Sequence, residues 1–181
     1  VEGEQENLAI KRFIAASAIM IFFKGIPGIY IHSLIGSKNW DKAPDLSQHP
    51  RRINREKLNI HALEAELSNL GGRRATILQS MLALLEIRKR ETAFSPLADQ
   101  QVIEASARSC FAFLRSNTRE ESLKQKEREI LVVVNVSAVP QPYPSIWNNV
   151  ELEDMVSNTP VMQQEDRMLC PYQVVVLKRR D

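Results

Sequence analysis

The stretch from Gly36 to Glu56 holds the densest collection of side chains able to act on a small polar ligand. Arg51, Arg52 and Arg55 place three guanidinium groups within five positions, Asn54 adds an amide, and Trp40 is the one aromatic ring. A guanidinium suits the holding of polar groups because it offers several fixed donors and stays charged. The competing reading of Arg55 is a surface arginine paired with Glu56 or with a neighbouring helix. Arg51 and Arg52 are close enough to stand in for Arg55 under a small shift of register. His32, just upstream, either approaches the ligand or a phosphate, or is a hydrogen-bonded structural histidine. Trp40 either stacks on a ligand face or covers the end of the element before it. Asp41, Asp45 and Glu56 are the acids of this segment, and because surface carboxylates are overwhelmingly solvated they read as loop acids or salt-bridge partners. His49 and His61 have no metal-like spacing with any partner. Cys110 and Cys170 stand singly without a CxxC pattern, so no metal site is expected and both read as buried thiols of a reducing compartment.

These side chains need elements to hold them. Asn7 is placed to cap a helix running to Phe23, whose second half is apolar all round and is therefore expected to be buried on several sides. After the Gly25-Ile26-Pro27-Gly28 turn, Ile29 to Ile35 is rich in β-branched and aromatic residues; it predicts a strand buried on both faces, as in parallel sheets between helix layers. One parallel strand cannot form a sheet, so its partners are expected from upstream sequence or another chain. The first residue is Val, and the natural start is expected to lie upstream. Gly36 to Arg55 reads as a long loop, and loops of that length are more often functional than connecting. Helices are expected at Ile60–Leu70 and, after Gly71-Gly72, at Arg74–Glu91, where Ile77, Leu78, Met81, Leu82, Leu85 and Arg88 share one flank. Beyond Phe94-Ser95-Pro96 come strand-like runs at Gln101–Glu104, Ser109–Arg115, Ile130–Val136 and Tyr172–Lys178. With no helices between them they predict an antiparallel sheet or sandwich. The charge run Arg119–Glu129 predicts a hairpin loop in solvent.

Composition narrows the function classes. A 181-residue chain with 44% hydrophobic and 25% charged residues is ordinary globular material, which excludes wholesale disorder. Its 24 basic and 22 acidic residues leave a formal charge of +2, without the coherent positive face that nucleic-acid binding needs. Lys24 and the Gly-Ile-Pro-Gly break divide the apolar stretch Phe13–Ile35 into pieces short of the ~20 residues of a membrane span. That stretch also lacks the basic start and small-residue cleavage site of a signal peptide.

The run Gly25-Ile-Pro-Gly-Ile-Tyr-Ile-His32-Ser-Leu-Ile-Gly-Ser37-Lys-Asn-Trp40, followed by Arg51-Arg-Ile-Asn54-Arg55-Glu-Lys-Leu58, resembles glycoside hydrolase family 13, and within it the sucrose phosphorylase and glucosylglycerate phosphorylase branch. Ala93-Phe-Ser-Pro96, Phe111-Ala-Phe-Leu-Arg115, Val133-Val-Asn-Val-Ser137 and Pro171 to Leu177 are similar to that branch's C-terminal β domain. The resemblance implies α/β plus all-β architecture. Residues 1–93 would be the last part of a (β/α)8 TIM barrel, with its seventh helix, eighth strand, active-site loop and eighth helix. Residues 94–181 would be a small antiparallel β domain. It also implies a cytoplasmic parent enzyme that transfers glucosyl from an α-glucoside such as sucrose or glucosylglycerate to inorganic phosphate, with no cofactor. Retaining transfer needs two carboxyl groups ~5 Å apart. In the family these lie on barrel strands upstream of this region, so no catalytic residue is expected here and the chain alone is expected to be inactive. Asn54-Arg55 matches the position that grips the glucosyl ring, with His32 and Trp40 as further substrate contacts. The loop departs from the branch pattern between Pro44 and Pro50. An α-glucosidase or transglucosidase of the same family is the alternative, and a free-standing carbohydrate-binding or interaction module is the alternative of another class. The apolar helix and strand argue against the latter because a module would leave them exposed.

Overall fold

The structure is a computed structural model that describes residues 5–104, 108–118, 129–143, 147, 150–161 and 167–180. The chain forms two compact units, Val1–Pro27 with Ala83–Asp181, and Gly28–Leu82.

In the first unit, helix α1 (Glu6–Phe22) begins after Gln5, which gives no side-chain cap, so Asn7 lies inside the helix rather than at its cap. It buries Ile10, Ala15, Ala18, Ile21 and Phe22, while Met20 and the following Phe23 stay partly exposed. Among the described residues eight strands follow: β1 (Asp99–Ile103), β2 (Cys110–Ser116), β3 (Glu129–Asn135), β4 (Gln141–Pro142), β5 (Leu152–Asp154), β6 (Thr159–Val161), β7 (Met168–Leu169) and β8 (Val174–Arg179). Six form one sheet in the order β1-β2-β3-β8-β5-β6, and β4 pairs with β7. Every pairing is antiparallel, as the run of strands without helices predicts. The charge run at 119–128 lies outside the described residues.

Alternation sorts the strand residues between two apolar layers. Cys110, Ala112, Leu131, Val133, Val175 and Leu177 join Leu152, Val161 and Leu169 in one core. On the other face Phe113 meets Phe23 edge-on with ring centroids 5.4 Å apart, and Arg115 reaches the end of α1. Strand β3 is covered on both faces, which is why Ile130–Val134 is a continuous apolar run. Two buried polar side chains join the segments. Asn135 donates to the carbonyls of Val139 (2.8 Å) and Cys170 (2.9 Å), and Asp154 accepts from the amides of Val156 (3.1 Å) and Val176 (3.0 Å).

Helix α1 carries no basic residue in its last turn, so cations for its negative end come from elsewhere in the unit. Arg115, fully buried, donates to the carbonyls of Phe22 (2.8 Å), Ser95 (2.7 Å) and Asp99 (3.2 Å). Arg88 donates to the carbonyls of Ile21, Phe23 and Gly25. Burial, and next the charge of Arg88, pull the Arg115 guanidinium down to about 10, with Asp99 acting in the opposite sense. Burial lowers Arg88 as well.

The second unit corrects two expectations. Ile29–Ile35 is not a strand. Tyr30 is extended, at φ −80° and ψ 144°, but Ile31–Leu34 turns into a short helix, α2. Tyr30 and Ile31 are 47% and 55% exposed rather than buried on both faces. The physical reason is hydrogen bonding: no strand pairs with this segment among the described residues, so its amides close on local carbonyls. The amides of Ser33 and Leu34 donate to the Tyr30 carbonyl, and that of Ile35 to the Ile31 carbonyl. Helix α3 (Ile60–Ser68) is capped by the Asn59 side chain, which accepts from the Ala62 amide at 3.1 Å. The flank of helix α4 (Arg73–Arg90) is also rotated from the expected one. Ala75, Ile77, Met81, Leu84 and Ile87 are buried, while Leu82 is 51% exposed.

The thiols differ from expectation in one case. Both cysteines are free and Cys110 is buried, but Cys170 is exposed, because the turn after β7 carries it out of the sheet. Among the described residues no helix is long and apolar enough to cross a membrane, and no His, Cys, Asp or Glu cluster could hold a metal ion.

Candidate substrate-binding loop

The loop belongs to the second unit and begins at a fixed hinge. Gly36 has φ +60°, and a Cβ there would lie 3.0 Å from the Ile77 Cβ and nearer still to Cδ1, so only glycine lets the chain pass α4. Two adjacent arginines at the start of α4 pin this point. Arg73 Nε donates to the Gly36 carbonyl at 3.0 Å, and Arg74 Nη1 donates to Ser37 Oγ at 2.8 Å. Glu66 of α3 holds the other side of Arg74 in an ion pair. Arg73, Arg74 and Ser37 were not legible as anchors, because contacts 37 residues apart leave no local pattern.

His32 lies in α2 rather than at a strand end. Its Nδ1 is 2.9 Å from Ser37 Oγ, and its ring sits 5.3 Å from that of Tyr30. Arg74 already donates to the same hydroxyl, so Ser37 has its hydrogen to offer His32. The geometry gives His32 a structural partner at one nitrogen.

Trp40 is half-buried, and its amide donates to the Ile53 carbonyl at 2.7 Å. That bond closes the loop, bringing Trp40 beside the 3-10 turn Pro50–Asn54. Arg52 braces the closed loop by donating to the Pro44 carbonyl (3.0 Å) and Asp45 Oδ2 (3.3 Å). Asp45, at φ +51°, accepts from the amides of Gln48 and His49 through its carbonyl. Asp45 is thus a salt-bridge partner, as its setting in the sequence suggests.

Asn54 and Arg55 follow at the exposed end of the turn. Among the described residues the Arg55 side chain forms no pair with Glu56 or with a neighbouring helix. It lines a hollow of about 370 Å³ with Gln48, His49, Pro50, Arg51 and Arg52. The loop therefore brings Arg55 together with Arg51 and Arg52, while His32 is tied separately to Ser37.

No family model matches the chain. It is 34% identical over 131 residues to a glucosylglycerate phosphorylase of Spirochaeta thermophila, covering 72% of this chain and 21% of that protein. It is 41% identical over 103 residues to a glucosylglycerate phosphorylase of Allomeiothermus silvanus, covering 57% of this chain and 19% of that protein. The chain spans about a fifth of the length of these curated relatives. Among solved structures, a pullulanase from Anoxybacillus sp. superposes with a TM-score of 0.69 at 16% identity, over 98% of this chain and 24% of its own. The trehalulose synthase MutB from Pseudomonas mesoacidophila gives 0.62 at 17% identity, over 94% and 38%. At such identities these two likenesses speak for the fold.

Proposed function

We propose, from the membership of this chain in glycoside hydrolase family 13, the α-amylase family, as a homologue of the glucosylglycerate phosphorylases, that it is the C-terminal portion of a retaining α-glucoside phosphorylase. The sequence kinship with those phosphorylases carries the reading, and the braced loop that presents Asn54 and Arg55 supports it. Residues 1–93 complete a catalytic barrel whose other strands come from upstream sequence, and residues 94–181 form its β domain. The upstream strands pair with the extended segment around Tyr30, which pairs with no strand among the described residues. They also supply the two carboxyl groups, one attacking the anomeric carbon to give a β-glucosyl-enzyme, the other protonating the leaving oxygen. Phosphate then takes the glucosyl group with net retention, and no cofactor enters the reaction. Arg55 grips the distal hydroxyl of the glucosyl ring, with Asn54 beside it. Trp40 stacks on the sugar face, and His32 approaches the ligand through the ring nitrogen that Ser37 leaves open. The two free cysteines agree with a cytoplasmic location.

The test is phosphorolysis by the full-length protein on sucrose and glucosylglycerate, with the anomer followed by NMR. Phosphate-dependent release of α-glucose 1-phosphate is expected. Free glucose released at a rate indifferent to phosphate would assign the hydrolase alternative instead. Arg55→Ala in the same protein removes a charge-assisted bond worth ~1.5–3 kcal/mol, about ten- to hundredfold in turnover. Lys38→Ala is expected to leave turnover near wild type. Turnover of Arg55→Ala within about twofold of wild type would remove Arg55 from the site.

A further inference from the structure

Helix α2 closes on the left-handed Gly36 through two bonds that reach back over the turn. The Gly36 amide donates to the Ser33 carbonyl at 3.2 Å, and the Ser37 amide to the His32 carbonyl at 2.8 Å. Helix ends of this kind frequently bring the two residues of the longer-range bond together through an apolar contact. Here those residues are His32 and Ser37, and the contact is polar, with Nδ1 and Oγ 2.9 Å apart. The pair is thus tied twice, through the backbone and through the side chains. The Tyr30 ring, 5.3 Å away between centroids, bounds the imidazole as well.

The hydroxyl is itself held. Arg74 Nη1 donates to Ser37 Oγ at 2.8 Å, and Glu66 pairs with Arg74, whose side chain is only 13% exposed. A guanidinium can only donate, so it takes up one lone pair of the Ser37 oxygen. Were Nδ1 to donate to that oxygen too, the Ser37 hydrogen would have no acceptor among the described residues. With Nδ1 as acceptor, every polar atom of the contact is used, and the polarised hydroxyl is the stronger donor. A neutral imidazole carries one hydrogen, so an accepting Nδ1 leaves it on Nε2.

From this we infer that Ser37, held by Arg74 and Glu66, is a positioning residue that fixes His32 with its hydrogen on Nε2 and makes that edge of the ring a directed donor to an acceptor oxygen of the ligand. In this form Nε2 has no lone pair with which to take a proton, so His32 holds the ligand and does not act as a base there. All four residues belong to the unit Gly28–Leu82. The inference rests on the proposed function only in naming an α-glucoside as what the Nε2 hydrogen meets; the tautomer is a property of the helix end and its anchors.

The full-length protein, isotopically labelled at its histidine nitrogens, is studied by NMR at a pH where imidazole is neutral. The His32 signals are identified by their loss in His32→Ala. A ring nitrogen that bears hydrogen resonates far from a bare one, so the tautomer is read directly from the wild-type spectrum. A hydrogen-bearing Nε2 and a bare Nδ1 that accepts a hydrogen bond are expected. Ser37→Ala should shift the Nδ1 signal toward that of a nitrogen without a protein donor, and Ser37→Thr, which keeps the hydroxyl, should restore it. Circular dichroism of each variant shows that the fold is retained. A hydrogen on Nδ1 in the wild type, or an Nδ1 signal unmoved in folded Ser37→Ala, overturns the inference. In phosphorolysis Ser37→Ala should lower turnover about two- to tenfold, the worth of one neutral hydrogen bond. It should add nothing in a His32→Ala background, because a positioning residue acts through the residue it positions. An equal further loss in that background is what a merely structural role would give, and removes Ser37 from the positioning role. A protein that shows the Nε2 tautomer but transfers no glucosyl group overturns the proposed function and leaves the fixed tautomer standing.

Discussion

Replacing Arg115 by Met tests whether a buried cation without a close carboxylate is an asset to this fold. The side chain is fully buried, and its donors end on three main-chain carbonyls, those of Ser95 at 2.7 Å, Phe22 at 2.8 Å and Asp99 at 3.2 Å. Met fills comparable space but leaves those acceptors in place without a donor. Each hydrogen bond from a charged donor is worth about 1.5–3 kcal/mol. Counting the two shorter bonds fully and the longer one as marginal gives a loss of about 3–6 kcal/mol. An opposing argument exists: burying a charge is expensive, and replacing a whole buried ion pair by apolar residues is often neutral or stabilising. That precedent removes both partners, whereas here the carbonyls belong to the backbone and remain. Arg115→Lys, with one nitrogen instead of a fork, should keep about half of the bonding. Urea unfolding followed by far-UV circular dichroism and extrapolated to water checks the order wild type, Lys, Met. A Met variant within about 0.5 kcal/mol of wild type would refute the reasoning, since it would show that the desolvation cost of burying the guanidinium equals all that its hydrogen bonds return.

Three further outcomes are expected. Gly36→Ala forces a left-handed backbone on a residue with a Cβ and drives that atom into Ile77, so it should lower stability by at least the ~1–2 kcal/mol of the backbone term; unchanged unfolding by urea would contradict it. A thiol reagent should label one cysteine in the native chain and two after unfolding, because Cys170 is exposed while Cys110 is buried with its thiol pushed up by burial; two fast labels in the native state would contradict it. Burial holds the Tyr143 phenol well above the ordinary tyrosine range, with Arg167 opposing and Asp154 adding to the shift. A raised folded value means that this contribution to stability is complete below about pH 10 and is lost as pH climbs toward the folded value. Phenolate absorbance of Tyr143 should therefore rise late and together with loss of the sheet's circular dichroism; titration near pH 10 with the sheet intact would contradict it.

The long helices and the strands β2, β3 and β8 were legible because each carries an apolar run long enough to be read, β-branched and aromatic in the strands. Strands β4 to β7 have two or three residues each, too few to display alternation, and they exist because a neighbour accepts their hydrogen bonds. The reverse holds for Ile29–Ile35, which has strand composition but no strand to pair with among the described residues, so composition alone misled there. On the loop, the order of Trp40, Asn54 and Arg55 was readable from motif. The closure from the Trp40 amide to the Ile53 carbonyl and the brace from Arg52 to Asp45 were not, since a backbone hydrogen bond and a left-handed aspartate leave no trace in residue type.

The end of helix α1 waits for partners that the ribosome makes much later. Phe22 is 93 residues ahead of Arg115, and Ile21 is 67 ahead of Arg88. At roughly 5–20 residues per second, several seconds of synthesis separate the last turn of the helix from the guanidinium groups that satisfy its carbonyls. During that interval an apolar segment with frayed carbonyls is on display to chaperones. Arg88 arrives first and can hold the turn provisionally, and Arg115 seals it only when β2 has been made. Helix α1 is thus translated well before its last turn is completed, which makes that turn a natural marker of when the unit of α1 and the sheet has closed.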